Sequence, residues 1–452
     1  MQFLDPDLRS EFTSIVEKAK SLQPFNWRTV YPLTLEDDTL MDAKNLHPPS
    51  SDEISNLLKR VVVLKLNGGL GTSMGCDGPK SLIPVQGSNS FLDLVLEQIE
   101  YLNSKYNCDV PLVLMNSFST HDQTMSALSR SSKSVRVLTC VQSMFPRIDA
   151  ETWEPIATSI DNSDEFYPPG HGDVFRTLKR SGLIESLSLE GRDVVFLSNI
   201  DNLGATLDLS ILKAMTADVD FITEQTTKTA ADVKGGCIIT YNDHVTLLET
   251  AQVPPEHMSD FTSISKFPYF NTNNIWFKIS AARALMESGE LNLDVIINPK
   301  KVKGRNVLQL EQAVGSAIGS FKKVRGVVVS RDRFLPVKKT NDLLLIKSNL
   351  YIPENGKLVA NPQVKWWNFN TIAPTVRLGP NLTSVNDFVK AFPEIPDCSE
   401  LCHLTISGSV SFASGVKLAG TVIIIVDAGQ HMVIDTNLCD VIVTSHERRP
   451  WV

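Results

Sequence analysis

Residues 61 to 81 read Val61-Val-Val-Leu-Lys-Leu66-Asn-Gly-Gly-Leu-Gly-Thr72-Ser-Met-Gly-Cys-Asp-Gly-Pro-Lys80-Ser81. The opening run is rich in β-branched residues and stops at Asn67-Gly68-Gly69, the pattern of a buried strand that feeds a glycine loop. Glycines at 68, 69, 71, 75 and 78 leave the backbone unshielded by side chains. Successive amide N–H groups can then point at an anion, and a phosphate can approach closely. Lys80 adds a mobile positive charge at the end of the loop. A flexible surface turn is the plainer alternative, but a turn rarely needs this many glycines together with Pro79-Lys80. Two other phosphate loops are excluded. The Walker pattern needs Gly directly before Lys, and Pro79 intervenes. The dinucleotide fingerprint opens a helix at once, whereas Gly75, Gly78 and Pro79 oppose a helix until after Pro84.

Outward from this loop, further strands are predicted at Val110 to Met115, Val135 to Val141, Val194 to Leu197 and Val219 to Ile222. Helical patterns lie between several of them, such as Phe91 to Leu102, and residues 8 to 22 read as an amphipathic helix. Alternation of strand and helix predicts an α/β fold with a mostly parallel sheet covered on both faces. Ligands on such sheets bind at the carboxyl ends of the strands. The last seventy or so residues change character. Leu404, Val410, Val416 and Val422 recur every six residues, as do Ile406, Phe412, Leu418 and Ile424. Two interleaved apolar rows at this period predict a parallel β-helix, with a plain antiparallel sheet as the alternative.

The chain has 452 residues, enough for about three domains at roughly 150 residues each. Lys plus Arg number 43 against 51 Asp plus Glu, a net charge of −8, which gives no support for broad nucleic-acid binding. Hydrophobic residues at 42% and charged residues at 21% argue against a disordered chain. Seven scattered cysteines form no disulfide framework, and Cys398, Cys402 and His403 lack a second pair at zinc spacing. The first twenty residues lack an apolar signal core, and Val422 to Val426 is too short to span a bilayer, so no membrane association and a cytoplasmic location are expected.

Other polar residues near strand ends can be read two ways. Asp201 follows the strand ending at Leu197, where a carboxylate could hold Mg²⁺ against phosphate oxygens or cap the next element. His171 sits in Pro168-Pro-Gly-His-Gly-Asp173, an exposed-loop composition in which a histidine is usually solvated. Gln142 offers both a donor and an acceptor, as a pyrimidine edge needs, but a Gln at a strand end is ordinarily unremarkable. Glu249 and Asn271 suit sugar hydroxyls or plain surface positions. Lys322, Lys323, Arg325, Arg331, Arg333, Lys338 and Lys339 read mostly as a solvated basic face.

Leu66-Asn-Gly-Gly-Leu-Gly-Thr72 followed by Gly78-Pro-Lys80 resembles the signature of the UTP–glucose-1-phosphate uridylyltransferase family. The resemblance continues through Gln142-Ser-Met-Phe-Pro-Arg147, Tyr167-Pro-Pro-Gly-His-Gly-Asp173 and Ser198-Asn-Ile-Asp-Asn-Leu-Gly204. It extends to Asp232-Val-Lys-Gly-Gly236, Phe270-Asn-Thr-Asn-Asn274 and Arg333-Phe-Leu-Pro-Val-Lys338, and so covers the chain from about residue 55. It implies a Rossmann-like nucleotidyltransferase core over residues 56–355, after an N-terminal helical and irregular segment, 1–55. A C-terminal left-handed parallel β-helix would follow over 356–452. The implied reaction joins UTP and glucose 1-phosphate, with Mg²⁺ as cofactor. Lys80 and Lys338 would be catalytic, and Asp201 would hold the metal. UTP would be bound by Leu66, Asn67, Gly68, Gly69, Gly71, Lys80, Gln142, Gly170 and Asn199. The sugar phosphate would meet His171, Asn199, Ile200, Asp201, Glu249, Asn271 and Lys338. A uridylyltransferase with wider sugar choice, including N-acetylglucosamine 1-phosphate, and a non-catalytic nucleotide-sugar sensor are the alternatives. Two features depart from the family pattern. Asp77 puts a negative charge inside the loop, and the ending Ser445-His-Glu-Arg-Arg-Pro-Trp-Val452 leaves open whether the C-terminal domain self-associates.

Overall fold

Val61–Asn67 is buried at every position, as an apolar run between two covered faces must be. In the computed structural model, which describes residues 4–229, 232–233, 235–364 and 373–451, this run is a central strand of an eight-stranded sheet. Lys234 and Val452, which fall in stretches quoted above, lie outside the described residues. The strands in chain order are β1 (Leu40–Asp42), β2 (Val61–Asn67), β3 (Leu112–Asn116), β4 (Val137–Val141), β5 (Val194–Asn199), β6 (Phe221–Thr227), β7 (Tyr269–Lys278) and β8 (Val324–Val328). Their order across the sheet is β1-β8-β6-β7-β5-β2-β3-β4. Every neighbouring pair is parallel except those made by β7, which runs antiparallel to both β5 and β6. Alternation along β2 sends Val61 and Val63 into one core and Val62 and Leu64 into the other.

Helices cover both faces. In α2 (Phe91–Tyr106), Ser90 caps the first turn and Asp93 Oδ2 accepts the Ser90 N–H at 2.9 Å. The helix α1 (Pro6–Lys20) buries Phe12, Ile15, Val16 and Ala19 against Val295 and Leu310. Strands from the N-terminal segment join the fold: β1 forms one edge of the central sheet, and Val30–Pro32 pairs with Cys237–Tyr241. The reason is that the edge strand β8 would otherwise leave its outer N–H and C=O groups unpaired.

The C-terminal region stacks short parallel strands. These are β9 (Thr375–Leu378), β10 (Asp397–Ser407), β11 (Ser409–Phe412), β12 (Lys417–Ile425), β13 (His431–Ile434) and β14 (Leu438–Thr444). One stack runs β9-β10-β12-β14 and another pairs β11 with β13. Leu404 lies opposite Val422 and Ile406 opposite Ile424, so one turn of the coil takes three six-residue steps. All eight residues of the period-six rows are buried. The strand β15 (Arg448–Pro450) turns back antiparallel on β14. Among the described residues no helix is long and apolar enough to cross a membrane.

Candidate active site

Parallel pairing of β2 with β5 sets Leu66 beside Asn199, so the glycine loop and the segment Ile200–Asp201 leave the sheet side by side. The chain after β8 returns across these same strand ends. Pro336 pairs with Asn202, and the Val337 N–H donates to the Asp201 carbonyl at 3.2 Å. Three polar side chains therefore meet. Lys80 Nζ lies 2.6 Å and Lys338 Nζ 2.9 Å from Asp201 Oδ2. Lys80 is largely buried, whereas the Lys338 side chain is 54% exposed. Burial alone pushes the Asp201 carboxyl up, but Lys338 and then Lys80 outweigh it and hold the group below its ordinary value. Asp201 Oδ1 is buried and has no hydrogen-bond partner among the described residues. One carboxylate with an orphaned oxygen suits Mg²⁺, which takes most of its ligands from substrate phosphates and water. Among the described residues no group of three or more His, Cys, Asp or Glu could hold a metal by itself.

The loop folds on itself more tightly than its glycines alone suggest. The Gly71 N–H donates to the Gly78 carbonyl at 3.0 Å, and the Lys80 N–H to Gly69 at 3.1 Å. The amide of Gly71 is thus committed. No described residue accepts from the amides of Gly68, Gly69 and Leu70. The Asn67 side chain is buried and donates to Asn116 Oδ1 at 2.7 Å and Thr124 Oγ1 at 3.0 Å, so it anchors the loop from beneath. Asp77 is exposed.

Gln142 follows β4, and its carboxamide lies over Gly68, where a Cβ would come within 3.1 Å of Nε2. That carboxamide makes no hydrogen bond to the described residues. Gly170, with φ +87°, packs on the Gln312 backbone, where a Cβ would sit 2.7 Å from the carbonyl oxygen. His171 is half-buried rather than solvated, and its Nδ1 accepts the Val314 N–H at 3.0 Å. Burial, and then the nearby Lys338, push its pKa down to about 4. The neutral ring therefore carries its proton on Nε2, as a donor.

The antiparallel β7 begins where the parallel strands end, which brings its first residues to the site. Asn271 Oδ1 accepts from Thr223 Oγ1 at 3.2 Å and from the Asn273 N–H at 3.1 Å, and its Nδ2 lies against Gly315, where a Cβ would come within 3.1 Å. Asn199 Oδ1 accepts from Asn273 Nδ2 at 3.0 Å. Ile200 is buried, and its N–H donates to the Leu66 carbonyl at 3.3 Å. Glu249 packs against Gly236, where a Cβ would lie 2.6 Å from Oε2, and burial pushes its carboxyl up. It is not the plain surface residue that its sequence context allows.

Several supporting residues carry no obvious sequence signal for the site. Arg333, within the stretch expected to be a solvated basic face, is largely buried. Its Nε and Nη2 each lie 2.7 Å from the buried Glu224 carboxylate, which also accepts from Trp276 Nε1 at 2.9 Å and Asn274 Nδ2 at 3.0 Å. A charge this deep requires such pairing, which explains the departure from a solvated face. Asn202 accepts the Leu335 N–H at 2.8 Å and donates to the Arg333 carbonyl at 3.2 Å, stitching the Lys338 segment to the Asp201 segment. Lys65 is buried behind the site, with Nζ 2.8 Å from Ser198 Oγ and 2.7 Å from the Ala205 carbonyl. A lysine inside an otherwise apolar strand was the available signal for this network.

The family model described as UTP–glucose-1-phosphate uridylyltransferase matches residues 7–419. A curated relative of that name from Hordeum vulgare is 46% identical over 429 residues, covering 93% of this chain and 89% of the relative. UTP–glucose-1-phosphate uridylyltransferase 2 from Dictyostelium discoideum is 45% identical over 431 residues, covering 94% and 84%. A UDP-glucose pyrophosphorylase from Leishmania major, solved in open and closed structures, matches with a TM-score of 0.84 at 32% identity, covering 96% of this chain and 95% of that one.

Proposed function

This chain belongs to the UTP–glucose-1-phosphate uridylyltransferase family, and we propose that it performs the family's reaction by direct in-line displacement. It converts UTP and glucose 1-phosphate into UDP-glucose and pyrophosphate, reversibly, because one phosphoanhydride replaces another. An oxygen of the sugar phosphate forms a bond to the α-phosphorus of UTP. The bond from that phosphorus to the bridging oxygen breaks, and pyrophosphate leaves with the electron pair. The attacking phosphate is already ionised near neutral pH, so no side chain has to remove a proton. The barrier is repulsion between two anions, and catalysis is mostly positioning and charge neutralisation.

The observation that carries this reading is the meeting of Lys80 and Lys338 on one oxygen of Asp201. Asp201 holds both ammonium groups until the substrate phosphates compete for them. Lys80 then neutralises the triphosphate and the departing pyrophosphate, and Lys338 holds the sugar phosphate against the α-phosphorus. The unpaired amides of Gly68, Gly69 and Leu70 receive phosphate oxygens or the nucleoside. Gln142, with its carboxamide uncommitted above Gly68, meets the uracil edge. His171 donates from Nε2, and Glu249, Asn199 and Asn271 meet sugar hydroxyls. Asp201 would hold Mg²⁺ through its orphaned Oδ1, and a bound Mg²⁺ supplies Lewis-acid neutralisation of phosphate oxygens there. We also read the C-terminal coil as left-handed, a reading supported by its three six-residue steps per turn. Its exposed Ile425 and Val433 are the surface through which self-association would occur.

The deciding experiment is pyrophosphate release from UTP and Mg²⁺ with glucose 1-phosphate, beside N-acetylglucosamine 1-phosphate and a no-sugar control. Release with glucose 1-phosphate alone is expected. Release with both sugars would widen the substrate claim. A folded protein that binds UTP and releases none would be a sensor rather than an enzyme.

A further inference from the structure

We infer that Asp173 is a positioning residue for base recognition, its buried carboxylate fixing Ser143 and thereby the aim of the adjacent Gln142. The inference rests on the reading of Gln142 as the group that meets uracil. Asp173 ends the Tyr167–Asp173 motif and is wholly inaccessible. Its Oδ2 accepts the Ser143 N–H at 2.7 Å, and its Oδ1 accepts the Ser143 hydroxyl at 3.0 Å. Thr177 Oγ1 donates at 2.9 Å, and Arg176 Nη1 lies 3.4 Å from Oδ1. Arg180 completes the clamp by donating to Ser143 Oγ at 2.9 Å and to the Val141 carbonyl at 3.1 Å.

Residues 141 to 143 are therefore held on both sides of Gln142. Gln142 itself is tied only through its backbone, whose N–H donates to the Asn116 carbonyl at 2.8 Å. Its carboxamide rests on Gly68 and has no protein partner among the described residues to set its angle. The backbone clamp must set it instead. The carboxylate suits that task because both of its oxygens only accept, so it meets the Ser143 N–H and hydroxyl together. The same Asp173 belongs to the turn that presents His171. One buried group thus ties the two loops that flank the nucleotide side of the site.

A purely structural role is the competing explanation, since Thr177 and Arg176 also bond to Asp173. The two roles differ in what they do to nucleotide choice. Uracil and cytosine reverse donor and acceptor at two neighbouring edge positions, N3 and the substituent on C4, so a fixed carboxamide distinguishes them and a wandering one does not. Asp173→Asn is nearly isosteric but turns one acceptor into a donor, which opposes either the Ser143 N–H or Arg176.

The test measures kcat and KM for UTP and CTP, with glucose 1-phosphate and Mg²⁺, in the full chain and in Gln142→Ala, Asp173→Asn and Ser143→Ala. Thermal melts confirm folding. Gln142→Ala should lower the UTP-over-CTP ratio of kcat/KM. Asp173→Asn should lower it by about tenfold, the cost of one misplaced hydrogen bond, with the loss mainly in KM for UTP. Ser143→Ala, which keeps the N–H bond, should lower it by roughly threefold. A folded Asp173→Asn whose ratio stays within about twofold of wild type, while Gln142→Ala loses discrimination, overturns the positioning role and leaves the base reading intact. An unchanged ratio in Gln142→Ala, or a wild type that uses CTP as well as UTP, overturns the base reading and this inference with it. Should Asp173→Asn melt below assay temperature, Ser143→Ala decides: a lowered ratio supports positioning and an unchanged one removes it.

Discussion

The two lysines on Asp201 carry the same charge but differ in setting, and that difference predicts different consequences on removal. Lys80 is 12% exposed and its partner 9% exposed, so truncating it unbalances a nearly dry ion pair. Lys338 is half-exposed, and Lys80 stays paired with Asp201 in its absence. Lys338→Ala should therefore cut kcat by at least about a hundredfold, the scale of one lost electrostatic contact to a transferring phosphoryl group. Its melting temperature should stay close to wild type. Lys80→Ala should lose activity on a similar scale and also destabilise the fold by about 1–2 kcal/mol, since Lys338 replaces only part of the lost charge. Steady-state rates and thermal melts of both variants check this, and near-normal turnover in folded Lys338→Ala would remove its role. In the sequence Lys338 stood out only through the family resemblance, whereas Lys80, closing a glycine loop, and Asp201, just past a strand and open to two readings, were legible as local patterns. Asp173, Asn202 and Glu224 were not, because their partners Ser143, Leu335 and Arg333 come from distant parts of the chain.

Among the elements, β2 most clearly mixes structural and functional demands. Its alternation fills both cores, yet it carries Lys65, whose hydrogen-bond partners among the described residues are one hydroxyl and one carbonyl. Burial, and then the Arg333 charge, push the Lys65 pKa down from 10.5 to about 7, with Glu224 opposing them. The unfolded chain binds this proton up to about its ordinary pKa and the folded one only to about 7, so stability should rise with pH between those limits. Below about 7 both states hold the proton, and the full cost of burying the charge is present. Lys65→Met should then be more stable than wild type by about 2 kcal/mol at acidic pH, with the gain shrinking as pH climbs toward 10. Denaturant melts at three pH values test the sign, and a gain that grows with pH would refute it. The other elements were read unevenly. The period-six rows were plain because every third step returns to the same face of the coil. The antiparallel β7 went unread, because its first half, Asn271-Thr-Asn-Asn274, is polar and nothing local reveals its direction. The strand expected at Val219–Ile222 instead runs from Phe221 to Thr227. Its polar second half is paid for by pairing with β7 and β8 rather than by apolar burial.

Across the whole molecule, the catalytic sheet and the C-terminal coil share one core. A single hydrophobic cluster joins Val63, Leu112 and Phe196 of the sheet to Leu344 and Tyr351 and on to Leu404 and Val422 of the coil. The helix α3 (Thr340–Lys347), which begins just after Lys338, bridges them, with Asn341 Oδ1 accepting the Leu378 N–H of β9 at 3.2 Å. The glycine loop touches the far side of the same junction. Gly75 has φ +67°, and a Cβ there would lie 2.6 Å from Ser384 Cβ. Domains that are separable in sequence character need not unfold separately when their apolar surfaces are continuous, because exposing one strands the other's contacts in water. A calorimetric scan should therefore show one main transition for sheet and coil together. Leu404→Ala, far from the nucleotide loop and fully buried, should cost about 3 kcal/mol and move that entire transition down. UTP, which binds at the sheet, should move it up by mass action. Two resolved peaks, with Leu404→Ala shifting only one and UTP only the other, would mean that the shared core does not couple them. A single peak that answers to both perturbations would make the coil part of the machinery that holds the glycine loop and Lys338 in register.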